Sequence, residues 1–459
     1  MREDWAGKKV LVVGFAIEGE DMARYFLEHG AEVTVSALRV PAVTRDEAAL
    51  LEARGVRFHI GANDPADVQG ADLVCASQGV PQSNPIVVEA RRRGVPVRSM
   101  TSMFLDAYPG PVCGITGSSG KTTTTSLVDA VFTAAGRDHV LGGNIGLGLL
   151  SLLDGASPDR WAVLEVSHTQ LVLTERSPHV AALLSVTPNH LDQFTWDEYV
   201  ALKRRIFQFQ TPADYAVFNL DDPVSAPFRD EARGRVFLFS LEGDHGSDGA
   251  FLAEGWVVWR RDGNGERVIA ASEIPLRGRH NVANVAAATA IAAACGIGPE
   301  AVARAVRSFR PPPHRLELVG RVNGVDYYND SIATAPERTM AALRSFEEPV
   351  VLLLGGRDKD LPLDGMLALA RERCRAVVCF GESGPKLARA AEAAGLAVTR
   401  ADSLAAAFEA AVRAARPGDV VLLSPACTSF DAYENFEQRG AEFRRLVGQL
   451  AGDPAHDGR

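Results

Sequence analysis

An α/β fold of three domains, each built around a mostly parallel sheet, is predicted by three observations on the sequence. Short apolar runs alternate with helical stretches of about 10 to 15 residues, the rhythm of parallel strands joined by crossover helices. Proline clusters interrupt that rhythm twice, at Ala107-Tyr108-Pro109-Gly110-Pro111 and at Arg310-Pro311-Pro312-Pro313-His314, where neither helix nor central strand continues easily. The length of 459 residues corresponds to about three domains at ~150 residues each. The expected boundaries are 1–108, 109–312 and 313–459.

The first segment opens with KKVLVVG (Lys8 to Gly14), a helical pattern from Glu18 to His29, and the strand EVTVSA. VRFHIG and ADLVCAS read as further strands, and NPIVVEARRRG as a basic helix before PVRS. The second segment restarts with PVCGITG, a Gly/Ser turn and a helix to about Gly136. Strands WAVLEVS and VAALLSV follow, then a helix from about Trp196 to Gln208. From Arg235 to Ile274, the runs VFLFS, GAFLAEGWVVWR and RVIAASEI predict antiparallel hairpins at the sheet edge. The helix HNVANVAAATAIAAAC and a shorter one ending near Phe309 close this segment. In the third, VVLLLGG, RAVVCFG and DVVLLSPAC read as buried strands with Ala-rich helices between them, and the polar tail after Gly448 reads as frayed.

Hydrophobic residues make up 46% and charged residues 23%, enough for several cores and against a disordered chain. Lys plus Arg is 48 and Asp plus Glu 58, a net charge of -10, so no basic footprint for a nucleic acid is present. No signal-peptide h-region and no run of ~20 apolar residues occurs. The six cysteines form no C-x-x-C and read as buried free thiols. The expectation is a cytoplasmic chain that spans no membrane.

The strongest chemical signal is ITGSSGKTTTTSLV, residues 115 to 128. Gly117 and Gly120 bracket a turn between a strand and a helix, where backbone N–H groups and the helix dipole can hold a phosphate. Lys121 would reach the terminal phosphates and Thr122 could offer a hydroxyl to Mg²⁺. The match is a shortened G-x-x-G-K-T, with Ile115 where the longer pattern wants its first glycine. The bland alternative is a Gly/Ser turn with a surface lysine. Downstream, Glu165 ends an apolar strand, where a carboxylate faces the ligand crevice of an open α/β sheet and can bind a hard cation. His190 and Lys203 follow. Each alone has a structural reading as a cap, a turn histidine or a solvated lysine. A phosphate loop by itself leaves kinase, GTPase, ATPase and ligase open.

The combination resembles the Mur ligase family, the ATP-dependent amide-forming enzymes of peptidoglycan precursor synthesis. The resemblance runs through TGSSGKTTT (116 to 124), GGNIG (142 to 146), LEVSHTQL (164 to 171), VTPNHLDQF (186 to 194), YVALKRRIF (199 to 207) and NLDDP (219 to 223). It continues through LRGRHNVANVAAA (276 to 288), PHRLELVG (313 to 320), NDSIATAP (329 to 336), GGRDKD (355 to 360) and SPACTSFDAYENFEQRGAEF (424 to 443). That last run points to the glutamate-adding branch. The resemblance implies a Rossmann-like N-terminal domain for a UDP substrate, a central ATPase domain and a Rossmann-like C-terminal domain for the amino acid. It implies as substrates ATP, UDP-N-acetylmuramoyl-L-alanine and D-glutamate, an acyl-phosphate intermediate, two Mg²⁺ ions and a monomeric enzyme.

Carried over by position, the ATP loop is Gly117, Ser118, Ser119, Gly120, Lys121, Thr122 and Thr123. Thr122 and Glu165 match ligands of one Mg²⁺, and His190 that of the second. Lys203 matches a lysine that is carbamylated, and Lys121, His190 and Lys203 form the catalytic set. Asn281, Asn284, Arg315 and Asp330 match ATP contacts, with His314-Arg315 and Asp330 at a domain junction. Gly14, Ser36, Arg39 and Asn144 match the UDP-substrate side, and Lys359, Ser429 and Phe436 the glutamate pocket.

The chain departs from the family pattern at several positions. Ser119 stands for a usual asparagine, Ala37 for an acid near the uridine, and Gln78 for a proline. His168-Thr169 stand for Ser-Phe, and Ile332 for the lysine of D-S-K-A-T. Ile332 leaves a different amino acid, L-glutamate included, as an alternative substrate. Another Mur-type ligase such as folylpolyglutamate synthase is a further alternative, against which the ~110 residues before Gly110 argue by length. A non-catalytic regulatory P-loop module is the alternative outside enzymes. Gly14 with Gly19 is only a weak dinucleotide signal.

Overall fold

The computed structural model describes residues 4–41, 44–145, 148–189, 193–310 and 313–452. Among these residues, twenty strands form three sheets. In the first, β1 (Lys9–Val13), β2 (Glu32–Ala37), β3 (Arg57–Ile60), β4 (Leu73–Ala76) and β5 (Val97–Arg98) lie in the order β3-β2-β1-β4-β5. All its pairings are parallel. β1 after its first residue, Lys9, and the whole of β4 are apolar and buried, as a sheet covered on both faces requires.

The second sheet contains β6 (Val112–Thr116), β7 (His139–Gly143), β8 (Trp161–Glu165), β9 (Val180–Leu183), β10 (Tyr215–Asn219) and β11 (Arg235–Ser240). It ends in β12 (Gly249–Ala253), β13 (Trp256–Arg261) and β14 (Asn264–Ala270), and its order is β14-β13-β12-β11-β10-β9-β6-β8-β7. The hairpin expectation for Arg235 to Ile274 is corrected in part. β11 pairs in parallel with β10 and with β12, and only β12, β13 and β14 form an antiparallel meander. The apolar run of β11 is an interior strand, whereas the true hairpins turn on Glu254-Gly255 and Asp262-Gly263. All four of those residues have positive φ, the backbone of a type I′ turn.

The third sheet holds β15 (Glu317–Val322), β16 (Val325–Asn329), β17 (Val350–Gly355), β18 (Cys374–Phe380), β19 (Val398–Arg400) and β20 (Val420–Ala426). Its order is β15-β16-β20-β17-β18-β19, parallel except for the β15–β16 edge hairpin. The helix Phe436–Ala451 runs past Gly448 and ends at Gly452, whose φ of 73° caps it. The stretch from Gln449 to Gly452, expected to be frayed, is therefore helix and cap, and the rest of the tail lies outside the described residues.

The chain divides into two compact units, Met1–Ile274 with Ala283–Phe309, and Pro275–Val282 with Arg310–Arg459. In the first unit one apolar core joins both sheets, from Trp5 and Phe26 through Phe104 to Phe207 and Phe218. The Ala107–Pro111 break is part of it: Tyr108 is buried, stacks on Phe104 at 4.7 Å and donates to the Arg160 carbonyl at 3.1 Å. Among the described residues no helix is long and apolar enough to cross a membrane. The described cysteines are free, and all but Cys374 are buried.

Candidate active site

β6 runs into a four-residue loop and then the helix Lys121–Ala134. Gly120 caps that helix at φ 79°, and a Cβ there would lie 2.5 Å from Asn284 Oδ1, so only glycine fits. Asn284 Oδ1 also accepts from Thr124 Oγ1 at 3.3 Å. Ser118 shapes the loop: its N–H donates to the Ser185 carbonyl at 2.7 Å. Its hydroxyl bonds the Thr187 carbonyl and N–H, and Tyr199 Oη, all at 3.0 Å. The first-turn N–H groups of Lys121, Thr122 and Thr123 lie outside the i→i−4 ladder and are the donors this loop could offer to an anion. Lys121 Nζ folds over the loop, donating to the carbonyls of Gly117 (2.8 Å) and Ser118 (3.3 Å).

Glu165 is the last residue of β8, in register with Ile115 of β6 and Gly143 of β7. It is 1% exposed. Asn144 holds it twice: Nδ2 donates to Oε1 and the backbone N–H to the Glu165 carbonyl, both at 2.8 Å. A Cβ on Gly143 would collide with that same carbonyl. Asn144, read from sequence as a contact to the UDP substrate, is thus placed on the carboxylate as its positioner. Oε2 of Glu165 is buried and accepts no hydrogen bond among the described residues.

Lys203, on the helix Trp196–Gln208, is also 1% exposed. Its Nζ donates to Thr116 Oγ1 (2.9 Å) and to the Gly117 carbonyl (3.1 Å), the acceptor that Lys121 also uses. Burial, and then the charge of Lys121, hold the Lys203 ammonium well below the usual lysine range, with Glu165 opposing. The capping box Thr195–Glu198 sets the start of this helix. His190 lies outside the described residues.

The group tests well as a cation site. A buried carboxylate oxygen without a partner is costly, and a hard divalent cation is its natural complement. Among the described residues no three His, Cys, Asp or Glu side chains gather into a metal cluster. Mg²⁺ needs none, since it is usually held by one or two carboxylates together with substrate phosphates.

Three family descriptions match the chain: the N-terminal domain of MurD-like Mur ligases over residues 8–99, the Mur ligase middle domain over 115–292, and the Mur ligase glutamate ligase domain over 314–427. A UDP-N-acetylmuramoylalanine–D-glutamate ligase of Symbiobacterium thermophilum is 41% identical over 448 residues, covering 97% of this chain and 98% of its own. The chain belongs to the Mur ligase family. A ligase of the same name from Koribacter versatilis is 39% identical over 451 residues, covering 98% and 99%. In fold, the UDP-N-acetylmuramate-alanine ligase MurC of Thermotoga maritima superposes with a TM-score of 0.60 at 19% identity, over 97% of this chain and 99% of that one.

Among the residues that the sequence assigns to a UDP substrate, the N–H of Gly14 (φ 85°) donates to the Ser36 carbonyl at 2.9 Å. Ser36 is buried with its hydroxyl near the Ala62 carbonyl, and Arg39 is exposed beyond the strand. Two departures from the family pattern meet: Gln78 Oε1 accepts from Thr169 Oγ1 (3.3 Å) and Ser167 Oγ (3.1 Å). The Gln78 N–H donates to Glu18 Oε2 at 2.7 Å, and Gln170 Nε2 donates to Oε1 at 3.1 Å. This network ties the first helix to the turn just after Glu165.

In the second unit, Asn281 Nδ2 donates to the Arg277 carbonyl at 2.7 Å. Lys359 lies on an exposed loop between Asp358 and Asp360, both of which pair with Lys386. Its Nζ is 3.4 Å from Thr334 Oγ1. Ser429 is buried just after β20, and Phe436 begins the last helix, its carbonyl accepting from Ser331 Oγ at 2.8 Å. Sequence reading missed Arg439, although the NFEQRG run contains it. Arg439 is fully buried and donates to the carbonyls of Ser331, Gly355, Cys427 and Thr428 and to Ser331 Oγ. Burial lowers its pKa to about 10. One side chain thus fastens the ends of β16, β17 and β20, from which the Lys359 and Ser429 loops depart. A Cβ on the adjacent Gly440 would collide with the His314 ring, which explains the Arg-Gly pair.

Asp330 is buried, accepting from Ser424 Oγ (2.8 Å) and the Leu316 N–H (3.2 Å). Burial raises its carboxyl to about 7, against those bonds and the charges of Arg315 and Arg338. A raised folded-state pKa means that the folded chain holds a proton which the unfolded chain has released between pH 3.8 and about 7. Stability therefore falls as pH rises through that window. Asp330→Asn cannot ionise, so its melting temperature relative to wild type should rise by a few degrees from about pH 5 to about pH 8. A pH-independent difference in calorimetry would contradict the shift.

Proposed function

We propose that this Mur ligase joins D-glutamate to UDP-N-acetylmuramoyl-L-alanine at the expense of ATP. The observation that carries the reading is the convergence on Gly117: a phosphate-type loop, two lysines on one carbonyl, and, at the end of the adjacent strand, a Glu165 oxygen that has no hydrogen-bond partner among the described residues. Both relatives described above carry the name of that reaction, which supplies the substrate identities. The proposed domains are 1–108 for the UDP substrate, 109–312 for ATP and 313–459 for the amino acid. The enzyme is proposed to act in the cytoplasm as a monomer.

The chemistry answers a specific difficulty. A carboxylate is a poor electrophile, so its oxygen first attacks the γ-phosphorus of ATP and the bond to ADP breaks. The amino group of glutamate then attacks the acyl carbon. A tetrahedral intermediate expels phosphate, and loss of one amine proton completes the amide. Charge must be neutralised as the phosphoryl group moves. Lys121 and the N–H groups of residues 121–123 supply fixed donors, and Ser118 keeps the loop in shape. Thr122 and Glu165 would hold one Mg²⁺, with His190 and a carbamylated Lys203 assigned to a second. Mg²⁺ bound there would neutralise phosphate charge.

The uncharged Ile332 favours a second reading, a Mur-type ligase for another amino acid. Phosphate release assayed with ATP, the UDP substrate and a panel of amino acids decides between them. Release that requires both UDP-N-acetylmuramoyl-L-alanine and D-glutamate is expected. Release without an amino acid, or preference for a neutral one, would sink the assignment.

A further inference from the structure

The turn Ile332–Thr334 follows β16 at the carboxyl end of the parallel strands, where open α/β sheets bind ligands. Its geometry is held by three backbone bonds: Ile332 N–H to the His314 carbonyl, Ala333 N–H to Asp330, and Thr334 N–H to the Ile332 carbonyl at 2.9 Å. Two cations flank it. Lys359 Nζ stands 3.4 Å from Thr334 Oγ1 at one end. Arg338 Nη1 donates at 3.2 Å to the Ile332 carbonyl at the other.

Arg357 pairs with Glu382 and Arg444 with Glu317 in the same unit. Arg338 has no carboxylate within ion-pair distance among the described residues, although Glu337 is adjacent in sequence. It also sits in the first turn of the helix Pro336–Leu343, where the helix dipole disfavours a cation. Its charge acts on the buried Asp330 without forming an ion pair, and the helix dipole does not favour an arginine here. Its single side-chain bond to a backbone carbonyl leaves the rest of a planar fork of donors, the geometry that suits a carboxylate.

We infer that Arg338 and Lys359 form a two-cation clamp for the two carboxylates of the incoming amino acid, Arg338 being the residue that makes this site select a dicarboxylate. The inference rests on the proposed glutamate ligation and names the residue that enforces it. Ile332 brings no charge to the turn, and a second carboxylate set there without a cation would be poorly compensated. Arg338 reaches the same turn from three-quarters of a helical turn into the next element and supplies that charge.

The test is steady-state kinetics of the full-length enzyme with Arg338→Met, Arg338→Lys and the double variant Arg338→Met, Ile332→Lys. D-Glutamate and its neutral isostere D-glutamine are compared as acceptors. Arg338→Met should raise KM for D-glutamate by ~10–100-fold, the range for a lost hydrogen bond between charged groups. KM for ATP should move by less than about twofold, and KM for D-glutamine should change little. Arg338→Lys should keep part of the selectivity, and Ile332→Lys should restore part of it to the methionine variant. If Arg338→Met keeps KM for D-glutamate within about twofold of wild type, the clamp is wrong while the ligase reading stands. A wild-type enzyme that does not use D-glutamate overturns both.

Discussion

Lys121→Ala is expected to lose ~10²–10³-fold in turnover at saturating ATP, the scale of removing one preorganised charge from a transition state. The expectation follows from reach and restraint. Lys121 opens its helix, and its Nζ lies across the loop against the carbonyls of Gly117 and Ser118. That places the charge where phosphoryl oxygens would meet the helix's free N–H groups. Alanine is a better helix former than lysine, and the loop keeps its Ser118 bonds and its Gly120 cap, so the fold should survive. Phosphate release with both acceptors saturating gives the turnover, and a melting curve checks the fold. A near-normal turnover would remove the loop from the chemistry.

What was legible in the sequence was whatever depends on neighbours along the chain. KVLVV, VCGIT and VVLLLG announce buried parallel strands because each is a continuous apolar run. The helix Trp196–Gln208 announces itself through Thr195, Glu198 and its apolar period. The phosphate loop is legible because its residues are contiguous. Pairings set by register were not. Asn144 meets Glu165 because β7 and β8 are adjacent, which no local pattern states. Lys203 reaches Gly117 across 86 residues, and Gln78 reaches Thr169 across 91. Half-exposed strands such as β7 and β15 carry too little apolar signal to be told from loops. β11 looked like a hairpin arm because its neighbours are, yet it lacks a two-residue turn on either side. Arg338 and Arg439 drew no attention because an arginine in a helix reads as solvated until its partners are known.

The Gln78–Thr169 contact shows how departures from a family pattern are understood through space. Each substitution alone places a polar group in the buried region between the first helix and the turn after β8. Together with Ser167 they satisfy one another, and the Gln78 N–H serves Glu18. The pKa of Glu18 is nevertheless raised, burial outweighing the two hydrogen bonds it receives. A polar network of this kind is tolerated when its members are paired. It also joins Glu18, in the helix that follows Gly14, to the turn after Glu165 by hydrogen bonds.

Lys203→Ala is expected to lower turnover by ~10–100-fold, the range for groups that support a metal site, with partial recovery in acetate or formate. The prediction turns on why a lysine should be buried beside another cation. Lys121 and Lys203 both donate to the Gly117 carbonyl, so two ammonium groups would repel each other there. Burial is the larger effect, and with that repulsion it holds Lys203 well below the ordinary lysine range. A lowered pKa enriches the neutral amine at neutral pH. A neutral amine can attack CO₂: the N–C bond forms, an electron pair moves to oxygen, and one proton leaves nitrogen for solvent. The product carries a negative charge beside Lys121, so repulsion becomes attraction and the site gains a carboxylate-like neighbour for a cation. Lowering the pH protonates the amine and opposes this uptake. Three readouts follow: wild-type activity should fall in CO₂-depleted buffer and return with bicarbonate, short carboxylates should rescue Lys203→Ala but not Lys121→Ala, and Lys203→Arg should stay inactive because a guanidinium cannot form the carbamate. Full activity of Lys203→Ala, or wild-type activity indifferent to CO₂ together with no carboxylate rescue, would show that Lys203 serves only to hold Thr116 and the loop.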